Sequence, residues 1–277
     1  MKIDGKMIAE KMLVDLAGQV AKLKERGVTP TMVVILVGDN PASLSYIKQK
    51  EKAAEKIGAK LILKTYDSRL KTEELQSIVE KYNSDPSAHG LIIQRPLPND
   101  IQTIPVVDLH KDIDGFVPGS AFEVPVARAV LNILNFARSH PARNCRERPL
   151  KEQHIVVIGR GETAGRPIAD VLVKKGCNVT VVHSQTQNPD EIIKGADIVI
   201  SCVGKPNVVR RDNIKKDAFL LSVGIWRDSE GKLHGDYDEN VIAETASFYT
   251  PTPGGVGPVN VACLMQNLVL AALRARS

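Results

Sequence analysis

Apolar positions along the chain follow two periods, and the switching between them lays out the elements. Ile8, Met12, Leu16, Val20 and Leu23 recur at helical spacing, which predicts an amphipathic helix stopped by Gly27. Thr31–Val37 (TMVVILV) is apolar and rich in β-branched residues, the pattern of a strand buried on both faces. Asn40 offers a capping side chain and Pro41 suits a first helical turn, so a helix is expected from about Ala42 to Ile57. A strand near Leu61–Tyr66, a helix near Thr72–Tyr82 and a strand at Leu91–Gln94 follow, the last running into Arg95-Pro96-Leu97-Pro98. Apolar strands alternating with helices predict an α/β fold whose parallel sheet is covered on both sides.

The alternation weakens between Pro98 and Phe122, a loop-rich stretch holding Asp112 and Asp114. Val126–Phe136 reads as a linking helix, and the polar, basic Ala137–Glu152 (Arg138, Arg143, Arg146, Arg148) as an exposed connection between lobes. The pattern then restarts. A strand at His154–Ile158, a glycine-rich turn, a helix at Arg166–Lys175 and a strand at Asn178–Val182 lead to strands within Ala196–Val203 and Phe219–Val223. Thr250–Pro258 (TPTPGGVGP) predicts a rigid, kinked loop whose glycines allow close approach to something flat, and Val259–Leu273 a closing helix.

Length agrees with this restart: 277 residues suit two lobes at roughly 100–200 residues per domain. With 43% hydrophobic and 25% charged residues, disorder, collagen and coiled coil are excluded. The net charge of +5 suits an anionic ligand or solubility, and 4% aromatic residues argue against a nucleic-acid partner. No apolar run is expected to reach the ~18 residues of a membrane span, and Met1-Lys2-Ile3-Asp4 shows no signal-peptide pattern. Cys145, Cys177, Cys202 and Cys263 form no CxxC pair; Cys177 and Cys202 are expected to be free buried thiols in a reducing cytoplasm, and a zinc site has no support.

Two places carry chemistry. Gly159-Arg160-Gly161-Glu162-Thr163-Ala164-Gly165 follows a strand and opens a helix, the context of a dinucleotide-binding turn, although its spacing is GxGxxxG. Gly159 permits the tight turn and Gly161 the approach of a pyrophosphate to the helix N-terminus. The next strand ends in Val182-His183-Ser184 without the carboxylate that would hold an NAD ribose, whereas Arg160, His183 and Ser184 suit a 2′-phosphate; NADP is therefore preferred to NAD. In the first lobe, Tyr46 and Lys50 share one helix face, and Gln94 ends a buried strand where a polar side chain needs partners. Ligands of open α/β sheets bind outside the carboxyl ends of the strands, where these groups and Asp112 or Asp114 converge. By composition, Lys50 is one of four lysines between residues 48 and 56, most of which belong in solvent.

Gly38-Asp39-Asn40-Pro41-Ala42-Ser43 with Tyr46-Ile47-Lys48-Gln49-Lys50, Gln94-Arg95-Pro96-Leu97-Pro98, Lys111-Asp112-Ile113-Asp114-Gly115-Phe116 and Thr252-Pro253-Gly254-Gly255-Val256-Gly257-Pro258 together resemble the bifunctional methylenetetrahydrofolate dehydrogenase/methenyltetrahydrofolate cyclohydrolase family. The resemblance implies NADP-dependent oxidation of a tetrahydrofolate one-carbon derivative, then hydrolysis of the product, in one shared cleft. It implies that Tyr46 packs on the folate, that Lys50 is the central catalyst, that Gln94 sets its protonation and that Asp114 grips the pterin. Pro253, Gly254, Gly255 and Val256 would line the substrate, and Gly159, Arg160, Gly161, Gly165, His183, Ser184 and Ile225 would hold NADP. It further implies a folate-binding catalytic domain over residues 1–122, with a helix of about 259–277 packing back on it, a Rossmann-type domain over residues 123–258, a cytoplasmic homodimer, and neither metal, membrane nor nucleic acid as a partner.

The sequence departs from the family pattern in three places. The tract after Phe116 runs through Val117-Pro118-Gly119-Ser120 almost directly into Val124-Pro125 and is shortened. The basic Ala137–Glu152 stretch is long. The nucleotide turn has Gly161 where the family's Gly-Arg-Ser-x-x-Val-Gly pattern commonly has a serine, and Glu162 adds a negative charge beside it. The alternatives left open are an enzyme keeping one of the two activities, a non-catalytic binding protein of the same fold, and a different two-lobed dehydrogenase.

Overall fold

The computed structural model describes residues 1–139 and 148–275. Along the chain, α1 (Gly5–Glu25), β1 (Thr31–Val37), α2 (Pro41–Ile57), β2 (Lys60–Tyr66), α3 (Thr72–Asn83) and β3 (Gly90–Ile93) lead into α4 (Pro125–Arg138). The second series is β4 (His154–Ile158), α5 (Gly165–Lys174), β5 (Asn178–Val182), α6 (Pro189–Lys194), β6 (Ile198–Ser201), β7 (Phe219–Ser222), β8 (Trp226–Arg227), β9 (Leu233–His234), α7 (Glu239–Ile242), β10 (Phe248–Tyr249) and α8 (Val256–Arg274). The chain divides into two compact units: residues 10–125 with 261–277, and residues 1–9 with 126–260. Residues 1–9 thus cluster with the later unit, in contrast to the expectation of a first lobe over residues 1–122.

In the unit built from residues 10–125 and 261–277, a parallel sheet runs in the order β2-β1-β3. Every residue of β1 is buried. Met32, Val34 and Leu36 pack with α1, α2 and α8, while Val33, Ile35 and Val37 pack with Leu75 and Val79 of α3. This is why β1 reads as a continuous apolar run. The Asn40 side chain accepts from the amides of Ala42 (2.9 Å) and Ser43 (3.1 Å), capping α2 as expected, a contribution of about 1 kcal/mol. One expectation needs correction. β2 is an edge strand with an exposed face that includes Leu63, so this sheet is not covered throughout.

The other unit carries the larger parallel sheet, in the order β10-β7-β6-β4-β5, with β8 and β9 as a separate antiparallel hairpin. Its core joins Val156 and Ile158 of β4 to Val199 of β6, Leu220 of β7, Ile193 and Ile242. The short elements α6, α7, β8, β9 and β10 give too little periodicity to stand out in the sequence.

The final helix also corrects an expectation. Val256–Arg274 is long and apolar enough to cross a membrane, with mean hydropathy 1.6 in its most apolar window. Two thirds of that window is nevertheless buried inside the fold, where Leu264, Met265, Leu268 and Val269 complete the core around β1. Cys177 and Cys202 are half-buried, not buried, and Cys263 is the enclosed thiol. Cys145 and the middle half of the basic connection, with Arg143 and Arg146, lie outside the described residues.

Candidate functional site

The first group of polar side chains forms where β1 and β3 end and α2 begins. Lys50 lies on the face of α2 that turns inward with Ile47 and Ala54, so a lysine placed there is carried into the protein. It is 3% exposed. Its Nζ donates to Gln94 Oε1 at 3.1 Å and stands 5.4 Å from the centre of the Tyr46 ring, one helical turn earlier. Burial pulls the Lys50 pKa below the ordinary lysine range, and the charge of Asp114 opposes that pull. A lysine whose pKa is lowered in this way gives up its proton more readily than a solvated lysine does.

Gln94 is the residue after β3, held in register by its amide, which donates to the Ile35 carbonyl at 2.9 Å. Its Nε2 donates to the Arg95 carbonyl at 2.8 Å, which fixes the amide so that Oε1 faces Lys50. The Ser43 hydroxyl donates to the same carbonyl at 3.4 Å. The sequence argument that a polar residue ending a buried strand needs partners is met by these bonds.

Asp112 and Asp114 separate in role. Asp112 is 3% exposed and its carboxylate accepts from the Val117 amide at 2.8 Å, while its carbonyl accepts from the Ser120 hydroxyl at 3.2 Å. Burial pushes the Asp112 carboxyl above the usual carboxylate range, against the pull of the Val117 amide. Asp112 therefore braces the shortened segment into a compact turn, and Asp114 is left as the carboxylate acting on Lys50. Beside them is a cavity of about 160 Å³ whose walls include Leu91, Arg95, Val106, Asp114 and Phe116. For scale, a cavity of about 150 Å³ accommodates benzene, so one ring fits. The Arg95 guanidinium lies 4.9 Å from the Phe116 ring centre, a contact between residues 21 apart in the chain that no local pattern signals.

The second group surrounds the turn after β4. Gly159 has φ +100°, a left-handed conformation that only glycine adopts without strain, and a side chain there would press on the Cys202 carbonyl oxygen. Gly165 is packed so tightly on Gly159 that any Cβ would collide with its carbonyl oxygen. Gly161 is different: nothing lies within 4 Å of where its Cβ would be. The turn thus has a closed side that locks strand to helix and an open side at Gly161, next to the N-terminus of α5, where a pyrophosphate fits. At the end of β5, Arg160 Nη2 donates to Gln185 Oε1 at 3.3 Å, and His183 Nδ1 accepts from the Gln185 amide at 3.2 Å. Arg160, His183 and Ser184 are brought together there. Ile225 is 55% exposed, after β7 on the other side of β4.

The glycines of the Thr250–Pro258 loop differ among themselves, with open space around Gly257 and the chain itself against Gly255. A Cβ on Gly255 would press on Pro251 and Thr250, and one on Gly5 would collide with the Gly255 carbonyl, so the close approach is made by the chain itself. Gly254 and Val256 are buried, and Pro253 is the exposed residue of the four.

Sequence reasoning missed two buried polar residues. Asp236, 0% exposed, accepts from Ser201 and from three consecutive backbone amides, and Asn267, also 0% exposed, donates to two loop carbonyls from within α8. Asn267 is a polar interruption in an apolar helix, which is a legible signal; Asp236 follows a glycine in a polar stretch and gives none.

Comparison with known proteins matches residues 3–114 to the tetrahydrofolate dehydrogenase/cyclohydrolase catalytic domain and residues 143–276 to the NAD(P)-binding domain of the same description. The "Bifunctional protein FolD" of Streptococcus mutans is 40% identical over 276 residues, covering 98% of this chain and 97% of that protein. Among solved structures, the bifunctional FolD methylenetetrahydrofolate dehydrogenase/cyclohydrolase of Campylobacter jejuni superposes with TM-score 0.89 at 32% identity, covering 99% of both chains. The Trypanosoma brucei FolD enzyme, complexed with NADP cofactor and an inhibitor, gives TM-score 0.90 at 30% identity, covering 100% of this chain and 98% of that one.

Proposed function

The chain belongs to the tetrahydrofolate dehydrogenase/cyclohydrolase family, and from that membership we propose that it oxidises 5,10-methylenetetrahydrofolate to the 5,10-methenyl form with NADP and hydrolyses the product to 10-formyltetrahydrofolate. The observation that carries this reading is the buried Lys50, bonded to Gln94 and facing the charge of Asp114. Folding does not benefit from an isolated buried ammonium, so its retention calls for a chemical use.

NADP supplies the acceptor for the hydride leaving the methylene carbon. The residues that would hold it are those whose geometry fits: Gly161 and the start of α5 for the pyrophosphate, and Arg160, His183 and Ser184 for the 2′-phosphate. In the hydrolytic step, water adds to the cationic methenyl carbon and loses one proton to the medium, and the second proton passes from the resulting hydroxyl to the ring nitrogen as the C–N bond breaks and the formyl carbonyl forms. Lys50 assists both transfers because its lowered pKa lets it accept and return a proton. Gln94 keeps Nζ in place, Tyr46 packs against the substrate, and the two Asp114 oxygens pair with the adjacent ring N–H and amino group of the pterin.

Both activities are tested on one preparation, by appearance of the methenyl absorbance with NADP or NAD and by its disappearance without dinucleotide. Turnover in both assays, faster with NADP, is expected; absence of both removes the reading, and absence of one leaves a single-activity enzyme. The homodimer and cytoplasmic site of action implied by the resemblance belong to the same proposal and are read by sedimentation velocity and cell fractionation.

A further inference from the structure

In the larger sheet the chain leaves β4 for β5 on one side and crosses to β6 on the other, so the crevice at the carboxyl ends of β4 and β6 is the topological switch point. With the pyrophosphate at Gly161 and the 2′-phosphate group at the end of β5, the remaining half of the dinucleotide, the nicotinamide, extends over the carboxyl ends of β6 and β7. The wall there consists of Cys202-Val203-Gly204-Lys205 after β6 and Val223-Gly224-Ile225 after β7. These segments pack backbone on backbone: a Cβ on Gly204, which has φ +72°, would lie 2.9 Å from the Ile225 carbonyl oxygen.

A buried carboxylate holds this wall. Asp236 Oδ2 accepts from the Ser201 hydroxyl at 2.6 Å and the Val203 amide at 2.9 Å, and Oδ1 from the amides of Gly204 at 2.7 Å and Lys205 at 2.9 Å. Gly224 lies so close that a Cβ on it would strike the same carboxylate. The Asp236 amide donates to Ser222 Oγ at 2.9 Å, tying the residue to the end of β7 as well. These are all neutral donors converging on one anion, a strong and directional arrangement.

We infer that Asp236, with Ser201, is a positioning residue that fixes the nicotinamide-side wall of the dinucleotide site and so serves the dehydrogenase step selectively. The inference rests on the NADP reading given above. Cyclohydrolysis uses no dinucleotide, so it provides an internal control for folding.

The experiment compares Asp236→Asn and Ser201→Ala with the wild-type enzyme in both assays. NADP affinity is also read directly from the fluorescence of Trp226, the chain's only tryptophan, whose Nε1 donates to the Gly235 carbonyl next to Asp236. Asp236→Asn turns an acceptor into a donor facing other donors, and Ser201→Ala removes one bond. NADP KM and Kd are expected to rise about fivefold in Ser201→Ala and further in Asp236→Asn, with cyclohydrolase kcat within about twofold of wild type. Unchanged NADP KM and Kd in Ser201→Ala overturn the inference, and so does a parallel loss of both activities. Ser201→Ala decides the matter if Asp236→Asn does not fold. A wild-type enzyme that oxidises the folate with neither dinucleotide overturns the activity reading itself, and the inference with it.

Discussion

Lys50 Nζ donates to Gln94 Oε1 across 3.1 Å, inside a site where burial favours the neutral amine and the Asp114 charge favours the ammonium. Removing either Gln94 or Asp114 removes support for the charged form, so Gln94→Leu and Asp114→Asn both lower the Lys50 pKa further. The limb of the cyclohydrolase pH profile that reports Lys50 is expected to move to lower pH in each variant. A limb that stays in place or moves to higher pH assigns that titration to another group.

Lys50→Met is expected to lower cyclohydrolase kcat by about a hundredfold or more, the scale of a lost proton-transfer catalyst. The same substitution is expected to raise Tm. The folded-state pKa of Lys50 lies below its unfolded value of 10.5, so protonation costs the folded protein stability, in full below the lowered pKa. That cost disappears as pH rises through the lowered pKa towards 10.5. The gain from Lys50→Met is therefore larger at pH 7 than at pH 10. It amounts to roughly 2–4 °C for each kcal/mol removed. Scanning calorimetry at the two pH values checks the sign.

Gly161 and Gly165 lie in one turn and predict opposite phenotypes. Gly161→Ala adds a methyl to open space, so Tm stays near wild type while NADP KM rises. Gly165→Ala forces a methyl into the Gly159 carbonyl oxygen and lowers Tm, by a destabilisation of about 1–3 kcal/mol. Equal effects of both substitutions on Tm dispose of the division into an open and a closed side.

Asn267 Nδ2 donates to the carbonyls of Ile113 at 2.8 Å and Glu123 at 3.0 Å, at the two ends of the segment that carries Asp114. Asn267→Leu preserves the size of the side chain and leaves both carbonyls without this donor, at about 1–3 kcal/mol for each buried group. A lower urea midpoint and a raised folate KM are expected, with NADP KM unchanged.

What the sequence disclosed depended on how local each signal was. β1 and α2 were legible to within a residue because a continuous apolar run and an Asn-Pro start are properties of neighbours in the chain. The Gly159–Gly165 turn was legible for the same reason, and its strand–turn–helix context supplied the chemistry. Lys50 was not legible from composition: its burial follows from what β3 places opposite it, a partner 44 residues away. The resemblance supplied what periodicity did not. By residue type and spacing Asp112 and Asp114 look equivalent; the resemblance singles out Asp114, and the structure supplies the physical reason, since the Val117 amide turns back on Asp112. The exposed face of β2 went unread because an apolar strand looks alike at the edge and at the centre of a sheet.

The placement of α8 bears on the order in which the protein is made. Leu264, Met265, Leu268 and Val269 fill the core around β1, and Asn267 closes the segment bearing Asp114, yet all five leave the ribosome after the entire nucleotide-binding sheet. Domains ordinarily fold as they emerge, N-terminal first. Here the unit that begins at residue 10 is the one completed last, from residue 261 on. The core beneath Lys50 and Gln94 is therefore complete only when synthesis of the chain is nearly finished, and a nascent protein halted before residue 261 carries the whole β10-β7-β6-β4-β5 sheet but lacks the helix that closes the other unit.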